Sequence, residues 1–368
     1  MKKFVKRVFF TINIIIAVFL LCSGLSVHIS PEKAWYFAFF GLLFPYILIL
    51  NLLFIIFWFI FKRIYILVSL AVILLCWNST SKFMQIDIGR NQTTEIENKL
   101  KLLSFNVRLF NYYNWLKIKS AHQDIFNFIK GENAGIICLQ EILTLKNTSL
   151  AEDSVKKNLS ATPYSYIHYS TIVPGNRGFG MATFSKYPIV GRGVVNFSGS
   201  SNTAIFSDIN IKDDTLRIYN CHLQSTQLGK SDYNFIDSLL FGNDNKRMDE
   251  IMNISRRLKN AYIKRAKQVE QLHAHIVKSP YPVVLCGDFN DTPVSYTYHV
   301  LGKSMKDAYL ESGSGIGNTY FGNFPYFRID YIMHSKSLAS FGFKTKRVKL
   351  SDHLPLVCYF SLSQKSLP

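Results

Sequence analysis

The sequence predicts an α/β domain in which two packed mixed β-sheets are flanked by helices, preceded by an N-terminal helical transmembrane segment. Almost all of the first 78 residues are apolar, whereas the remainder alternates short β-branched runs with amphipathic stretches. Its connections include both hairpin-like turns and helical crossovers. That mixture favours two layered sheets, with a single buried sheet as the alternative.

Three apolar runs, at about 8–29, 34–61 and 64–78, are predicted to be membrane spans. Because a helix needs about twenty residues to cross a bilayer core, the first two runs are long enough and the third is short. No small-residue cleavage site is evident in the first run, which favours an uncleaved span over a signal peptide. We therefore assign residues 1–80 to a transmembrane region.

Charged residues beside the spans predict their orientation. Four cations lie among the first seven residues, and Lys62 and Arg63 separate the second and third runs. Basic flanks concentrate on the cytoplasmic side of a membrane. Three spans then place the rest of the chain outside the cytoplasm, whereas two would leave it inside. We expect a multi-pass protein of the bacterial inner membrane with an extracytoplasmic, periplasmic domain.

The chain is strongly basic, with a formal net charge of +18, and the excess continues beyond the apolar region. A basic surface suits anionic partners such as nucleic acid, phosphorylated small molecules or lipid headgroups, although many bacterial domains are basic without such a role. The six cysteines include no CxxC pair, so a zinc site is not indicated. Their apolar surroundings predict buried free thiols.

A linker at residues 81–99 lacks apolar periodicity, and the globular domain is predicted to occupy residues 100–362. Short apolar runs predict strands and 3.6-residue spacing predicts helices. The predicted strands are 100–107, 135–141, 178–190, 203–211, 215–223, 281–290, 327–335 and 353–362. The predicted helices are 120–132 and 246–277, the second with an apolar set of Met252, Ile254, Leu258, Ile263, Val269, Leu272 and Ile276.

Polar residues recur beside the predicted apolar strands, mostly where a strand ends. They are Asn106, Gln140, Glu141, His222, Asp288, Asn290, Asp330, Ser351, Asp352 and His353. Each is a weak signal alone: Asn106 could be a buried amide, His222 a core or loop histidine, and "GDFND" at 287–291 a turn. Together they would be costly to bury unless they were paired, and a cation at one shared rim would pair them.

These residue types favour hydrolysis at phosphorus. Carboxylate and amide oxygens are hard ligands that suit Mg²⁺ or Mn²⁺ better than Zn²⁺. Two histidines nearby can transfer protons at neutral pH. A hard cation, carboxylates and histidines together are typical of sites that hydrolyse phosphate esters.

The ordered motifs carry a resemblance to a known family. They are "SFNV", "LQE", "GMATFSKYPI", "CHLQS", "GDFND", "RIDYI" and "SDHLPL". With them, residues 100–362 resemble the endonuclease/exonuclease/phosphatase superfamily, which includes pancreatic-type deoxyribonuclease, apurinic endonucleases, bacterial sphingomyelinases and inositol polyphosphate 5-phosphatases. The resemblance implies a four-layer α/β sandwich and a phosphoesterase that depends on Mg²⁺ or Mn²⁺.

The resemblance also implies roles for single residues. The implied metal ligands are Asn106, Glu141 and Asp352, and the implied catalytic residues are His222, Asp288, Asn290, Asp330 and His353. Asp330 would hold His353 and raise its pKa, and Asp288 is the candidate base. Weaker candidates for the substrate site are Arg177, Tyr331 and Ser351. A further pair on the long helix, Arg265 and Gln268, is expected to be structural.

Three functional hypotheses remain open. The first is a membrane-anchored phosphodiesterase or phosphatase acting on a lipid headgroup or small phosphoester. The second is a membrane-tethered nuclease for DNA or RNA. The third is a binding or scaffold protein with a dead site, against which the complete polar set argues. No obligate protein partner is evident, and residues 225–245 are either a substrate loop or a surface insertion.

Overall fold

Two six-stranded mixed sheets packed face to face form the body of the chain, and a bundle of apolar helices precedes them. The computed structural model describes residues 3–85, 99–117, 121–200, 202–226, 232, 235, 245–321 and 327–361. Most of the predicted linker at 81–99 and most of the segment at 225–245 lie outside the described residues.

The N-terminal bundle is built from three apolar segments. Its helices are α1 (Lys3–Ser26), α2 (Pro31–Ala34), α3 (Tyr36–Phe61), α4 (Ile66–Leu75, after a 3₁₀ turn at Arg63–Tyr65) and α5 (Trp77–Thr80). By length and composition, α1 and α3 could each cross a membrane. The third predicted span is a shorter apolar helix over Arg63–Leu75, which alone falls below the usual length of a span.

Buried polar contacts hold the three segments together. The amide of Asn13 donates to Ser69 Oγ at 2.7 Å, and its oxygen accepts from Trp58 Nε1 at 3.0 Å. Further along, Cys76 Sγ approaches the carbonyl oxygen of Leu20 at 3.5 Å. The third segment therefore runs alongside α1 in the same direction. Such hydrogen bonds stabilise helix association where apolar surroundings provide little driving force.

All but two of the described strands form two sheets, and each sheet has one pair of parallel strands at its centre. In chain order they are β1 (Met84–Gln85), β2 (Lys99–Asn106), β3 (Ile136–Leu145), β4 (Tyr164–Val173), β5 (Arg177–Ser185), β6 (Ile189–Asn196), β7 (Thr203–Ile211), β8 (Asp214–His222), β9 (Val283–Asp288), β10 (Met305–Asp307), β11 (Gly315–Ile316), β12 (Asp330–Ser335), β13 (Ser340–Thr345) and β14 (Leu356–Ser361). Sheet I has the order β13-β14-β2-β3-β5-β4, and sheet II has the order β10-β12-β9-β8-β7-β6. The pairs β2–β3 and β8–β9 are parallel, while the small pair β1–β11 stands apart.

Helices cover the outer face of each sheet, which confirms the predicted four layers. They are α6 (Ala121–Glu132) and α7 (Glu152–Asn158) on sheet I, and α8 (Asn245–Ile276) and α9 (Tyr296–Gly302) on sheet II, while the short α10 (Ala308–Ser312) packs in the core between the sheets. Phe126 of α6 packs in a core shared with sheet I, and Leu272 of α8 packs in a core shared with sheet II. A third core lies between the sheets. Met252, predicted in the apolar set, is 48% exposed because the first turns of α8 lie outside the packed part.

Buried amides connect the sheets and brace the loops. Asn220 of sheet II donates to the carbonyl oxygens of Leu139 and Ala182 in sheet I, at 3.1 and 3.0 Å. The two residues of α8 that were predicted to be structural also connect separate chain segments. Arg265 and Gln268 both bond the backbone of the residue at position 224, just after β8. These contacts fix the chain segments that leave the carboxyl ends of the central strands.

The α/β domain packs directly on the bundle. Val294, in the loop after β9, lies in the core of the bundle beside Phe44. Lys267 pairs with Glu32 at 3.2 Å, and Arg328 donates to the carbonyl oxygen of Lys82 at 3.3 Å. The bundle is therefore in contact with the loop that follows Asp288, so the two parts of the chain form one packed unit.

Gly41 is the point of closest approach, since an added β-carbon would collide with the carbonyl oxygen of Val294 and the hydroxyl of Ser26. We expect Gly41→Leu to destabilise the full-length protein by about 1–3 kcal/mol through overpacking. Thermal unfolding in lipid nanodiscs would show this as a lower Tm. Gly131→Leu is the control, because nothing lies within 4 Å of that position on α6. Equal Tm values for both variants would contradict close docking.

Candidate active site

The strand ends of the two sheets meet at one edge. Asn106 ends β2, while His222 and Asp288 end the neighbouring parallel strands β8 and β9. Asp330 begins the antiparallel strand β12 directly opposite Asp288. Because the carboxyl ends of parallel strands and the amino end of an antiparallel neighbour share an edge, these side chains gather in one place.

Glu141 joins this group because β3 is irregular at that point. The register of β3 against β5 shifts between Leu139 and Ile142, and Glu141 has a φ of 50°. A bulge of this kind re-aims one side chain while the strand continues on both sides. The carboxylate of Glu141 thereby lies 3.5 Å from Nε2 of His222 on the other sheet.

His353 is held by two oxygens of one carboxylate. Its Nδ1 lies 2.9 and 3.1 Å from the oxygens of Asp330, and its Nε2 lies 3.7 Å from Oδ2 of Asp288. Burial opposes a charge on this ring, but Asp330 and Asp288 outweigh it and raise the pKa of His353 well above its ordinary value. Asp330 and Asp288 therefore favour the protonated form of His353, and Asp330 orients the ring with Nε2 toward Asp288.

Asp288 is the buried acid at the centre. Its oxygens accept from the backbone N–H of Asn290 at 2.8 Å and from the amide of Asn106 at 3.1 Å. Burial raises its pKa, His353 opposes this, and Asp330 adds to it, which brings the pKa to about 6. A carboxylate with such a pKa can accept a proton near neutral pH.

Glu141 and His222 form the more open side of the group. Burial opposes ionisation of Glu141, but His222, His353 and a hydrogen bond from Asn106 outweigh it and lower its pKa. Nε2 of His222 is buried and makes no hydrogen bond with any residue that the structure describes. The Glu141–His222 side of the group therefore combines a carboxylate with an imidazole nitrogen that has no hydrogen bond among the described residues.

The donor atoms fit a hard divalent cation. Within the described ranges, Glu141, His222 and Asp288 each place a ligand atom within 4.8 Å of the others, as do Asp288, Asp330 and His353. In the second set, Asp330 and His353 are already paired. The first set contains two carboxylates and the unbonded nitrogen, so it is the better candidate. Carboxylate oxygens are the ligands that Mg²⁺ and Mn²⁺ prefer.

Two of the predicted metal ligands have other contacts here. The amide nitrogen of Asn106 donates to both Glu141 and Asp288 at 3.1 Å, while its oxygen accepts from the backbone N–H of Arg108. Asp352 lies outside both sets, and its carboxylate pairs with Arg108 Nη1 at 2.7 Å. Asn106 therefore holds the two acids together, and Arg108 competes for Asp352.

Asn290 and Ser351 support their neighbours. Asn290 adopts the left-handed conformation, with a φ of 53°, and its amide donates to the carbonyl oxygen of Leu223 at 3.0 Å. This links the loop after Asp288 to the loop after His222. The Ser351 hydroxyl accepts from the backbone N–H of His353 at 3.2 Å. The Ser351 hydroxyl and the backbone N–H of Asn290 thus hold the neighbouring catalytic candidates, His353 and Asp288.

Two of the three weaker substrate candidates, Tyr331 and Arg177, make no hydrogen bond or ion pair with the gathered acids among the described residues. The Tyr331 hydroxyl is buried and donates to the carbonyl oxygens of Asp291 and Arg328, at 2.9 and 2.8 Å. Arg177 begins β5 and precedes Gly180 by three residues. Its backbone therefore lies roughly 10 Å from that of Gly180 along the strand. This geometry supports an internal role for Tyr331 and gives Arg177 no contact with the acids.

The sequence did not reveal a cavity of about 200 Å³ beside Glu141 and His222. Its polar lining comes from Ser170, Thr171, Asn202 and Thr203. These residues lie near the edges of the sheets and belong to no motif, so no pattern pointed to them. The exposed aromatic run at 112–115 was also not predicted to belong to a site, although "YYNW" is visible in the sequence.

Acids and histidines at the shared edge of two stacked sheets define a phosphoester hydrolase of the metal-dependent class. Residues 103–353 match the model of the endonuclease/exonuclease/phosphatase family, and the chain belongs to that family. Residues 6–83 match a domain of unknown function. No curated protein matches the chain.

Solved structures share the fold. The endonuclease/exonuclease/phosphatase from Beutenbergia cavernae is 15% identical with a TM-score of 0.55, covering 73% of this chain and 72% of its own. The human Nocturnin catalytic domain is 19% identical with a TM-score of 0.51, covering 72% and 94%. A family protein from Bacteroides thetaiotaomicron is 17% identical with a TM-score of 0.51, covering 72% and 97%. At such identities the likeness establishes the fold alone.

Asp330→Asn tests the arrangement around His353. Removing the negative charge lowers the pKa of His353 and weakens the contact that orients its ring, so we expect kcat on bis-p-nitrophenyl phosphate to fall by about 10²–10⁴-fold, with a smaller change in KM. Asp208→Asn is the matched control, since Asp208 is equally buried but pairs with Arg217 at 2.6 Å on β7 and β8. It should lower Tm and leave kcat unchanged. A full kcat for Asp330→Asn would contradict the assignment.

Proposed function

We propose that the protein is a membrane-anchored, divalent-metal-dependent phosphoesterase, acting on a lipid headgroup or another small phosphoester. One observation carries the proposal. Glu141, Asp288 and His222 place ligand atoms within 4.8 Å of one another, and beside them His353 is held by Asp330 at 2.9 Å. Proton acceptor, cation and metal-ligand oxygens are thus present within one small group.

The proposed metal ligands are Glu141, as the principal one, with Asn106 and Asp352 completing the site directly or through water. Asp288 and His222 also place ligand atoms within 4.8 Å of Glu141, but we assign them to proton transfer and phosphate binding, because a group bound to the metal could not also do that. Asp352 would have to exchange Arg108 for the metal. A divalent cation bound there would stabilise negative charge on the phosphate oxygens.

The other side chains of the site have separate proposed roles in proton transfer, charge stabilisation and phosphate binding. Asp288 accepts the proton of the attacking water, and Asn290 and Asn106 hold its carboxylate in place. Cationic His353 stabilises the negative charge that develops on the pentacovalent phosphorus centre. The unbonded Nε2 of His222 can donate a hydrogen bond to a phosphate oxygen when it carries a proton.

The cavity beside the site favours a small substrate. Its volume of about 200 Å³ is below the roughly 300–1,000 Å³ of drug-sized ligand pockets. Hydroxyl and amide groups from Ser170, Thr171, Asn202 and Thr203 line it. Such a lining suits a phosphate ester with a compact polar group.

Nucleic acid is the second candidate substrate, and an aromatic cluster favours it. Tyr112, Tyr113 and Trp115 are each more than 40% exposed, and the Arg108 guanidinium lies 4.3 Å from the centroid of the Trp115 ring. Exposed rings beside a site can stack on bases, each worth about 1–3 kcal/mol. In this alternative the protein is a membrane-tethered nuclease for DNA or RNA.

A substrate panel tests the function. The full-length protein with Mg²⁺ or Mn²⁺ would receive bis-p-nitrophenyl phosphate, a sphingomyelin and glycerophospholipid mixture, and plasmid DNA. We expect metal-dependent release from the small esters or lipids, which EDTA abolishes. Because Glu141 is the principal ligand, Glu141→Gln should raise the Mg²⁺ concentration for half-maximal activity by at least about tenfold.

The outcomes separate the two candidates. Plasmid cleavage without turnover of small esters or lipids, reduced by Trp115→Ala, would establish the nuclease instead. Trp115→Ala should leave turnover of the small ester unchanged, which makes it the control for the aromatic cluster. No turnover of any substrate with any divalent metal would reject catalysis.

We also propose that residues 1–80 cross the membrane three times and place residues 100–362 in the periplasm. The lengths of α1 and α3 support two crossings. The parallel course of the third segment beside α1, given by the Asn13–Ser69 hydrogen bond, supports a third. The cations at Lys62 and Arg63 then share the cytoplasmic side with those of the N-terminus.

Reporter fusions test this topology. Alkaline phosphatase, active only outside the cytoplasm, should be active when fused after Ser361 and inactive when fused after Arg63. Green fluorescent protein should show the opposite pattern. Fluorescence from the fusion after Ser361, without phosphatase activity, would rule out three crossings.

A further inference from the structure

A second cavity lies at the junction of the bundle with the α/β domain. Its volume is about 500 Å³. Asn78 and Lys82, which follow the third apolar helix, line one side, and His299, Lys303 and Lys306 line the other. None of these residues belongs to the active site. The cavity therefore combines the end of a predicted membrane span with a cationic surface of the domain.

Lys82 is buried in this cavity without an acceptor for its ammonium group. Lys82 is only 7% exposed, and its Nζ lies 5.0 Å from the centroid of the Tyr298 ring. No residue in the described part of the chain accepts a hydrogen bond from that nitrogen. The neighbouring acid, Asp307, already pairs with Arg328 Nη1 at 2.5 Å and accepts from the Tyr298 hydroxyl at 2.8 Å.

The other acid of the cavity is also engaged. Glu311 accepts from Lys306 at 3.1 Å and lies 2.9 Å from Nε2 of His334. Lys82 and Lys303 therefore remain without an ion-pair partner among the described residues. Holding a lysine largely away from water without an ion-pair partner is costly, so an anion bound in the cavity would stabilise Lys82.

The titration of nearby groups agrees with an excess of positive charge. Burial and then Arg328 lower the pKa of Lys82, Asp307 only partly opposes them, and the pKa is about 8 as a result. Burial, His28, Lys303 and Lys82 together lower the pKa of His299 to about 4. Lys82 is still mostly charged at neutral pH, and an anion bound beside it would raise both pKa values.

We propose that this cavity binds a phosphate group, and that an anionic lipid headgroup of the surrounding membrane supplies it. Lys82 and Lys303 would donate to the phosphate oxygens, and Asn78 offers an amide beside them. The lipid source rests on the membrane placement proposed above, because the third apolar helix ends at Leu75 and Asn78 follows within one turn. Cationic pockets between the ends of spans and a domain suit anionic headgroups.

Native mass spectrometry of the full-length protein in detergent tests the proposal. We expect one retained phosphatidylglycerol and little phosphatidylcholine. Lys82→Met should weaken phosphatidylglycerol retention by at least about tenfold, Lys303→Gln should weaken it less, and Lys82→Arg should keep it. Lys157→Gln, at an exposed position on α7, is the control and should bind like the unchanged protein. Activity on the small ester should persist in every variant.

A second arm separates lipid from free phosphate. Sodium phosphate and sodium chloride at equal ionic strength are compared for their effect on Tm in lipid-free detergent. A phosphate-specific rise in Tm that Lys82→Met removes, without a preference for phosphatidylglycerol, would support the phosphate site and overturn the lipid source.

Two results would overturn the site itself. One is equal retention of phosphatidylglycerol and phosphatidylcholine with no effect of phosphate on Tm. The other is an equal loss of binding in Lys157→Gln and Lys82→Met. If Lys82→Met does not fold, Lys303→Gln and Lys82→Arg carry the comparison. Recovery of the protein in the soluble fraction would reject the membrane placement, and the phosphate arm would still decide the site.

Discussion

The amide of Asn106 makes the contact on which the active-site geometry depends. It extends from sheet I and donates to Glu141 in its own sheet and to Asp288 in the other. The half-buried Glu141 and the buried Asp288 repel each other as carboxylates, and one amide that donates to both reduces the cost of holding them together. The stacking of the sheets brings the strand ends together, and Asn220 bonds the two sheets deeper in the core. The site thus rests on a rigid inter-sheet connection.

The helical bundle is part of the same construction. Val294 lies in its core, only a few residues after Asp288 and Asn290, and Arg265 of α8 contacts the intervening Asp291. The loop that carries two catalytic candidates is therefore held between the bundle and the long helix. A membrane anchor joined through a flexible tether alone would not have this contact. The junction cavity, lined partly by Lys82, lies at the same boundary.

Central strands were predictable, and edge strands were not. The predicted strands near 100–107, 203–211 and 281–290 agree with β2, β7 and β9 within a few residues. The longer strands without a prediction, β4, β6 and β13, are all edge strands. An edge strand is partly exposed, so it needs no continuous apolar run and produces a weaker pattern. Part of the lining of the cavity beside Glu141, namely Ser170 and Thr171, lies on the edge strand β4, which had no predicted strand.

The sequence by itself determined the family, the sheet-forming core and the residue types of the site, because apolar periodicity and ordered motifs are local properties of the chain. Only the tertiary structure decided what each polar atom contacts. Asn106 donates to Asp288, which is 182 residues further along the chain, and Arg108 pairs with Asp352. The Tyr331 hydroxyl donates to backbone carbonyl oxygens. Such partners are set by the packing of distant segments, and a buried polar atom takes whichever partner the packing brings within reach.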